Sequence, residues 1–383
     1  MNMLIPGPGL LRFLLALVVV VHHSFPLRMG TWAVYAFFIL SGYWIARMWE
    51  DKYVNTRNAP VTFLCSRWCR LAPVFFASLG LAFISSCVVP GAPPLPQHVW
   101  EWCIRQLPII GSKSAGSILP PTWSLDVEMQ FYVVFTALML VASSRWRGVV
   151  NWLVIMMAAA SLLLVLQELG TSVTENTASS LSLYFWLFAI GMWFHKARWA
   201  PSRRTALVSA AAFAGVTALL MIWPPTREAI WIRGSMKVTP LREGALDPRI
   251  LVHLWWALGA VVCAPFIAWN VLQKSPAWDR MLGNWAFPLY LFHWIPRDWY
   301  YSQVNWSAPA WHALLLLVVN FAAALGGSWL ILKLIDQHAD RWRARWVNAR
   351  LIPGTKNHEA QPAPPAPSQD TISPSQNPHF RPA

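Results

Sequence analysis

Arg12 and His23 lie eleven residues apart in one uninterrupted apolar stretch, RFLLALVVVVHH, and that combination of residue types points to chemistry at membrane depth. Ionisable groups on a lipid-spanning helix are costly unless they face a polar cavity, so they mark a functional site. Eleven residues turn a helix by about 1100°, three turns plus roughly 20°, and advance it by roughly 16 Å, so the two side chains share a face. His22 is rotated by about 80° from Arg12 and is the weaker candidate for the same cavity. An imidazole in such a place can act as a general base.

Four further polar clusters recur near apolar segment ends. FFILSGYWIAR, Phe37 to Arg47, carries Ser41 and Gly42, small residues that let a second helix or a substrate approach the backbone. In RWCRLAP, Arg67 and Arg70 are three apart and share a helix face. Two guanidiniums suit phosphate oxygens, although an arginine pair beside a span also serves as plain positive-inside anchoring. PPTWSLDVEMQFY, Pro120 to Tyr132, begins with prolines that suit a helix start and sets Glu128 and Tyr132 four apart. Asp126 at its rim fits helix-dipole compensation, whereas Glu128 is deeper and needs a partner or a proton. LGNWAFPLYLFHW, Leu282 to Trp294, carries His293 in a segment loosened by Pro288; taken alone, such a histidine also fits a hydrogen-bonded packing role.

The elements that must position these residues are helices in a membrane. Of the 383 residues 56% are hydrophobic and 12% charged, with 26 tryptophans, and the mean hydropathy is +0.41. A soluble domain carries roughly twice that charged fraction. Apolar windows predict an all-α polytopic integral membrane protein with about ten transmembrane helices. Their limits are Leu10 to Phe25, Thr31 to Trp49, Leu71 to Val89, Thr122 to Val141, Val149 to Gln167, Leu181 to Phe194, Thr205 to Trp223, Ile250 to Leu272, Leu282 to Trp299 and Ala310 to Leu334. The first has neither a basic leader nor a small-residue cleavage site and is expected to be retained.

Both termini are expected in the cytoplasm. That orientation puts 21 of the 30 Lys and Arg inside, Arg12 among them and the rest in the loops Arg47 to Arg70, Arg145 to Arg147, Lys196 to Arg204 and Lys274 to Arg280 and in the tail from Lys333. The net charge of +14 is then an orientation signal and a lipid-headgroup contact, with Arg341, Arg343, Arg345 and Arg350 as a juxtamembrane cluster. Charge spread over loops in this way fits nucleic acid poorly.

The domain reading is a transmembrane unit over 1–350 and a disordered, Pro-rich cytoplasmic tail over 351–383. Five cysteines without a CxxC pair argue against a disulfide framework or zinc site, although Cys87 and Cys103 could pair on an oxidising outer side. Histidines scattered over different spans suggest no metal site.

Taken in this order, the clusters resemble the acyltransferase-3 family of bacterial integral-membrane acyltransferases, which includes glycan O-acetylases. The resemblance covers about Leu10 to Arg345 and rests on Arg12 with His23, FFILSGY, the Arg67 and Arg70 pair, WSLDVEMQFY and YLFH. It implies transfer of an acyl group, acetyl by expectation, from cytosolic acyl-coenzyme A to a hydroxyl of a cell-envelope glycan or related acceptor at the bacterial inner membrane. It implies that His23 is the catalytic position, Arg12 its companion, and Arg67 and Arg70 the donor contacts. Ser41, Trp123, Ser124, Tyr132 and His293 are the remaining expected substrate contacts. The family segment before YLFH commonly carries a serine-tyrosine pair where this chain has Ala286 and Phe287, so a hydroxyl role there is not expected.

The residues themselves support a basic cytoplasmic mouth of Arg12, Arg67 and Arg70 joined by a narrow passage to His23. His23 would take the acceptor proton as the hydroxyl attacks the thioester, with Glu128 orienting the imidazole or stabilising its cation. In a variant His23 itself accepts the acyl group and relays it. Two rival readings stand. In a proton-coupled secondary transporter Arg12, Glu128 and His293 would form a relay. A glycosyltransferase acting on a polyprenol phosphate sugar would use outward acidic residues such as Glu101, Asp126 and Glu175.

Overall fold

A computed structural model describes residues 7–25, 27–89, 94–142, 145–168, 179–231, 248–305, 307 and 309–353. It is all-α, and among the described residues the only extended pairing is an isolated bridge between Thr56 and Leu351. The helices are α1 (Pro8–Ser24), α2 (Gly30–Asp51), α3 (Ala59–Val88), α4 (Val99–Gln106), α5 (Thr122–Val141), α6 (Arg147–Glu168), α7 (Phe185–Lys196), α8 (Arg203–Ile222), α9 (Pro224–Trp231), α10 (Pro248–Val262), α11 (Ala264–Asn270), α12 (Ala277–Phe292), α13 (Trp294–Gln303), α14 (Ala310–Ile331) and α15 (Gln337–Asn348). A π-helical turn, Leu332–Asp336, joins the last two.

Every expected span falls on helix. Five stretches are long and apolar enough to cross a membrane, namely α3, α5, α6, α8 and the continuous Ala310–Asn348, and a sixth if α10 and α11, bent by 41°, form one span. The rest fall short for physical reasons. α1 and α7 have 17 and 12 residues, and α2 ends in Arg47, Glu50 and Asp51. These are inner helices: α2 packs between α1 and α7, and α1 packs against α12. A helix sheltered by neighbours need not be apolar all round.

Glycines set two of these contacts. A Cβ on Gly42 would run into the Phe188 carbonyl of α7, and one on Gly191 into the Ile39 carbonyl of α2, so the two backbones cross at these positions. At the start of α1, Pro8 occupies the first turn, and the fully buried Asp279 of α12 accepts from the backbone N–H groups of Gly9 (3.0 Å) and Leu10 (2.8 Å). This carboxylate satisfies donors that a helix start leaves open and fixes α1 to α12.

Three expectations are corrected. The basic segment from Arg47 to Arg70 is mostly helix, because α2 runs to Asp51 and α3 begins at Ala59 after Asn58, whose φ of 53° turns the chain. Arg67 and Arg70 therefore project from α3 itself. The expected ninth span is broken at His293 into α12 and α13. The helix runs through Pro288, and the break is explained by Pro296, which has no N–H for the Phe292 carbonyl. Cys87 and Cys103 are both free and exposed. Of the expected tail, Leu351 and Ile352 are tied to the turn before α3, with the Ile352 N–H donating to the Asn55 carbonyl (2.9 Å); the tail from 354 onward, Glu175 and 232–247 lie outside the described residues.

Candidate active site

α1, α2, α3, α5, α12 and α15 enclose a cavity of about 400 Å³. Seven of the ten expected site residues line it: Arg12, Ser41, Arg67, Arg70, Ser124, Glu128 and Tyr132. The lining holds four guanidiniums, those of Arg12, Arg67, Arg70 and Arg343, against two carboxylates, Glu128 and Asp340. Phe37, Phe38, Phe287 and Trp44 supply apolar wall.

The arginines are held differently. Arg12 lies over the Trp44 ring, 5.4 Å from its centroid, and no carboxylate among the described residues is within ion-pairing distance of it. Arg67, only 6% exposed, donates to the Tyr53 hydroxyl (2.6 Å), and its Nε is buried without a partner among the described residues. Arg70 pairs with Asp336 of the π-turn and lies over Phe287. Tyr53 sits in the turn between α2 and α3. Burial opposes ionisation of its phenol, but Arg67, the Ser66 hydroxyl and Arg343 outweigh it and draw its pKa below the ordinary value. The cavity wall is therefore electropositive at this end.

Glu128 faces the same space from α5. Its Oε1 accepts from the Ser41 hydroxyl (2.8 Å) and the Tyr132 hydroxyl (2.6 Å), so the i, i+4 pair read from the sequence is formed. Asp126, 1% exposed, has a different task. Its carboxylate accepts from the Gly111 N–H (2.9 Å) and the Gln130 amide (2.8 Å), pinning the loop before α5.

His23 is not among the residues lining the cavity. It is the penultimate residue of α1, so Arg12 and His23 bracket that helix. Its ring lies 5.4 Å from that of His293 at 22°, and 4.9 Å from Trp294. His22 adjoins it at 4.6 Å, with Nδ1 donating to the Leu27 carbonyl (3.2 Å). Tyr290 and Ser124 both line the cavity, and their hydroxyls share a hydrogen bond of 2.7 Å. His293 stands next in line, 0% exposed, with Nδ1 on the Tyr290 carbonyl at 2.8 Å. A carbonyl only accepts, so Nδ1 carries the proton and Nε2 is left as an acceptor, buried and without a partner among the described residues. The structure therefore does not bring the guanidiniums and His23 into one cavity as expected: His293, at the break after α12, places its ring against His23 instead. Trp123 also lies off the cavity, packed against Phe38 and Tyr184.

Sequence reasoning did not single out Tyr53, Tyr290, Asp336 or Asp340. It read Arg343 as a lipid contact; Arg341 and Arg345 are exposed, but Arg343 is half-buried and turned to the cavity. Tyr290 was legible as the first residue of YLFH. Tyr53 reaches Arg67 through the turn between α2 and α3, and Asp336 and Asp340 arrive through the π-turn and α15.

Comparison with known proteins decides the chemistry this arrangement belongs to. Residues 5–333 match the acyltransferase-3 family model, described as an acyltransferase domain. The chain belongs to that family. A curated relative, the "Putative membrane-bound transacylase BcsY" of Komagataeibacter xylinus, is 25% identical over 335 residues, covering 82% of this chain and 78% of that protein. No solved structure matches. The chain is therefore a multi-pass membrane acyltransferase, and the transporter and glycosyltransferase readings give way to it.

Proposed function

We propose that this acyltransferase moves an acyl group, acetyl in the simplest case, from cytosolic acyl-coenzyme A to a hydroxyl of a cell-envelope glycan or related acceptor. The supporting observation is the convergence of Arg12, Arg67 and Arg70 in one cavity at the end of α1 opposite His23. Coenzyme A has a highly charged nucleotide end and a thin arm ending in the thioester. Guanidiniums at a mouth suit the first, and a narrow aromatic-walled cavity suits the second.

In this reading about ten helices traverse the bacterial inner membrane, with both termini cytoplasmic and the mouth facing inward. The donor arm reaches the Tyr290–Ser124 pair, and parting of that hydrogen bond admits the thioester toward His23. Neutral His23 takes the proton of the acceptor hydroxyl as its oxygen attacks the thioester carbonyl carbon. The C–O bond forms, the C–S bond breaks, and the proton passes to the departing coenzyme A thiolate. His293, rather than Glu128, stands beside the imidazole, so Glu128 acts on the cavity by fixing Ser41 and Tyr132 and by offsetting the guanidinium charge. A covalent variant, in which His23 carries the acyl group between donor and acceptor, uses the same geometry.

The test is acyl transfer by membranes containing the protein, supplied with acyl-coenzyme A donors of graded chain length, with mass analysis of envelope glycans. Appearance of the donor's acyl group on glycan hydroxyls only in the presence of the protein is the expected outcome. Glycans of unchanged mass with every donor contradict the reading.

A further inference from the structure

The helix beyond the family-matched region contributes to the cavity. α15 and the π-turn before it bring Asp336, Asp340 and Arg343 to the mouth, and all three lie past residue 333, where the family match ends. α15 is docked on the turn between α2 and α3: Lys52 donates to Asn348 (2.8 Å) and the Arg57 N–H to the Arg350 carbonyl (2.8 Å).

We propose that α15 completes the anion-binding mouth, with Arg343 binding a phosphate of the nucleotide-bearing acyl donor and Asp340 serving as the counter-ion that the phosphate replaces. The inference rests on the acyl-coenzyme A reading above and deepens it. Three observations carry it. Arg343 lines the same cavity as Arg12, Arg67 and Arg70, although its neighbours Arg341 and Arg345 are exposed. Its Nη1 donates to the Ser66 hydroxyl (3.1 Å), which bonds Tyr53 (2.7 Å), which in turn receives Arg67 (2.6 Å). One hydrogen-bonded chain thus links the two guanidiniums through Ser66 and Tyr53. Finally, the buried Arg67 Nε is a donor with no partner among the described residues, while Asp340, which holds Arg343 at 2.6 Å, is 43% exposed. An ion pair that open to water is weak and readily exchanged for a dianionic phosphate.

The test uses the full chain, purified and reconstituted in lipid nanodiscs, with three donors: acetyl-coenzyme A, its 3′-dephospho analogue and the phosphate-free acetyl-pantetheine. Arg343→Gln is expected to raise KM for acetyl-coenzyme A about tenfold more than KM for acetyl-pantetheine, with the change in KM rather than kcat. Asp340→Asn is expected to lower KM for acetyl-coenzyme A, and Arg343→Lys to recover part of the affinity. A tenfold rise shared equally by all three donors, or no rise with acetyl-coenzyme A, overturns the role of Arg343. Failure of the broader reading looks different: wild-type protein would then use acetyl-coenzyme A no better than acetyl-pantetheine, and this proposal falls with it.

Discussion

His23 and His293 lie nearly face to face, their ring centroids 5.4 Å apart, although they are separated by most of the chain. The Nδ1 of His293 is committed to the Tyr290 carbonyl, so Nε2, which has no partner among the described residues, is the ring nitrogen left to meet a substrate or a proton in transit. His293→Phe keeps a stacking ring and removes that nitrogen. The expected result is a kcat lowered by about tenfold or more with donor KM little changed, measured on purified protein. An unchanged kcat would make His293 a packing residue.

The hydroxyls of Tyr290 and Ser124 are hydrogen-bonded to each other in the cavity lining. In the proposed mechanism parting of this bond admits the thioester, and removing one partner weakens it by about 1 kcal/mol, or roughly fivefold. Tyr290→Phe is therefore expected to raise release of free coenzyme A from acetyl-coenzyme A in the absence of acceptor by about that factor. A rate equal to wild type places the passage elsewhere.

Glu128 separates two roles by their kinetic signatures. Its carboxylate is engaged by Ser41 and Tyr132 in a cavity with a cationic excess. Glu128→Gln retains an acceptor and deletes a charge, so donor KM should fall while kcat stays within about threefold. A loss in kcat of roughly 10² to 10⁴ would instead make Glu128 the partner of the catalytic base.

The α2–α7 crossing predicts a folding effect with an internal control. Gly42→Ala puts a methyl group against the Phe188 carbonyl, and overpacking of this kind costs about 1 to 3 kcal/mol. Gly215 on α8 has open space around it, so Gly215→Ala should be neutral or slightly stabilising. Thermal unfolding in detergent should show a lowered midpoint for the first and none for the second. Equal midpoints would mean that the two helices are not in close backbone contact.

The helices were legible in the chain because apolar windows and their flanking charges are local signals. The cavity was legible in part for the same reason: Arg12, Ser41, Arg67, Arg70, Ser124, Glu128 and Tyr132 stand out as polar residues where lipid would forbid them. What sequence could not convey was partnership. Glu128 was matched with His23 by depth alone, whereas the packing of α2 on α5 gives it to Ser41. Arg343 looked like one more basic residue at a membrane surface until the π-turn and α15 folded it over the mouth. The start of α3 was misplaced because Arg67 and Arg70 lower the hydropathy of a segment that is helical and sheltered by Tyr53 and Asp336.

The central claim is that a cationic cavity delivers an acyl thioester to the imidazole at the far end of α1. It is tested most directly by the initial rate of labelled acetyl transfer from acetyl-coenzyme A to envelope glycan in inside-out vesicles carrying either wild-type or His23→Ala protein at equal, folded abundance. The account predicts a fall of at least about 100-fold for the variant with donor binding retained. Transfer at the wild-type rate by His23→Ala would contradict it.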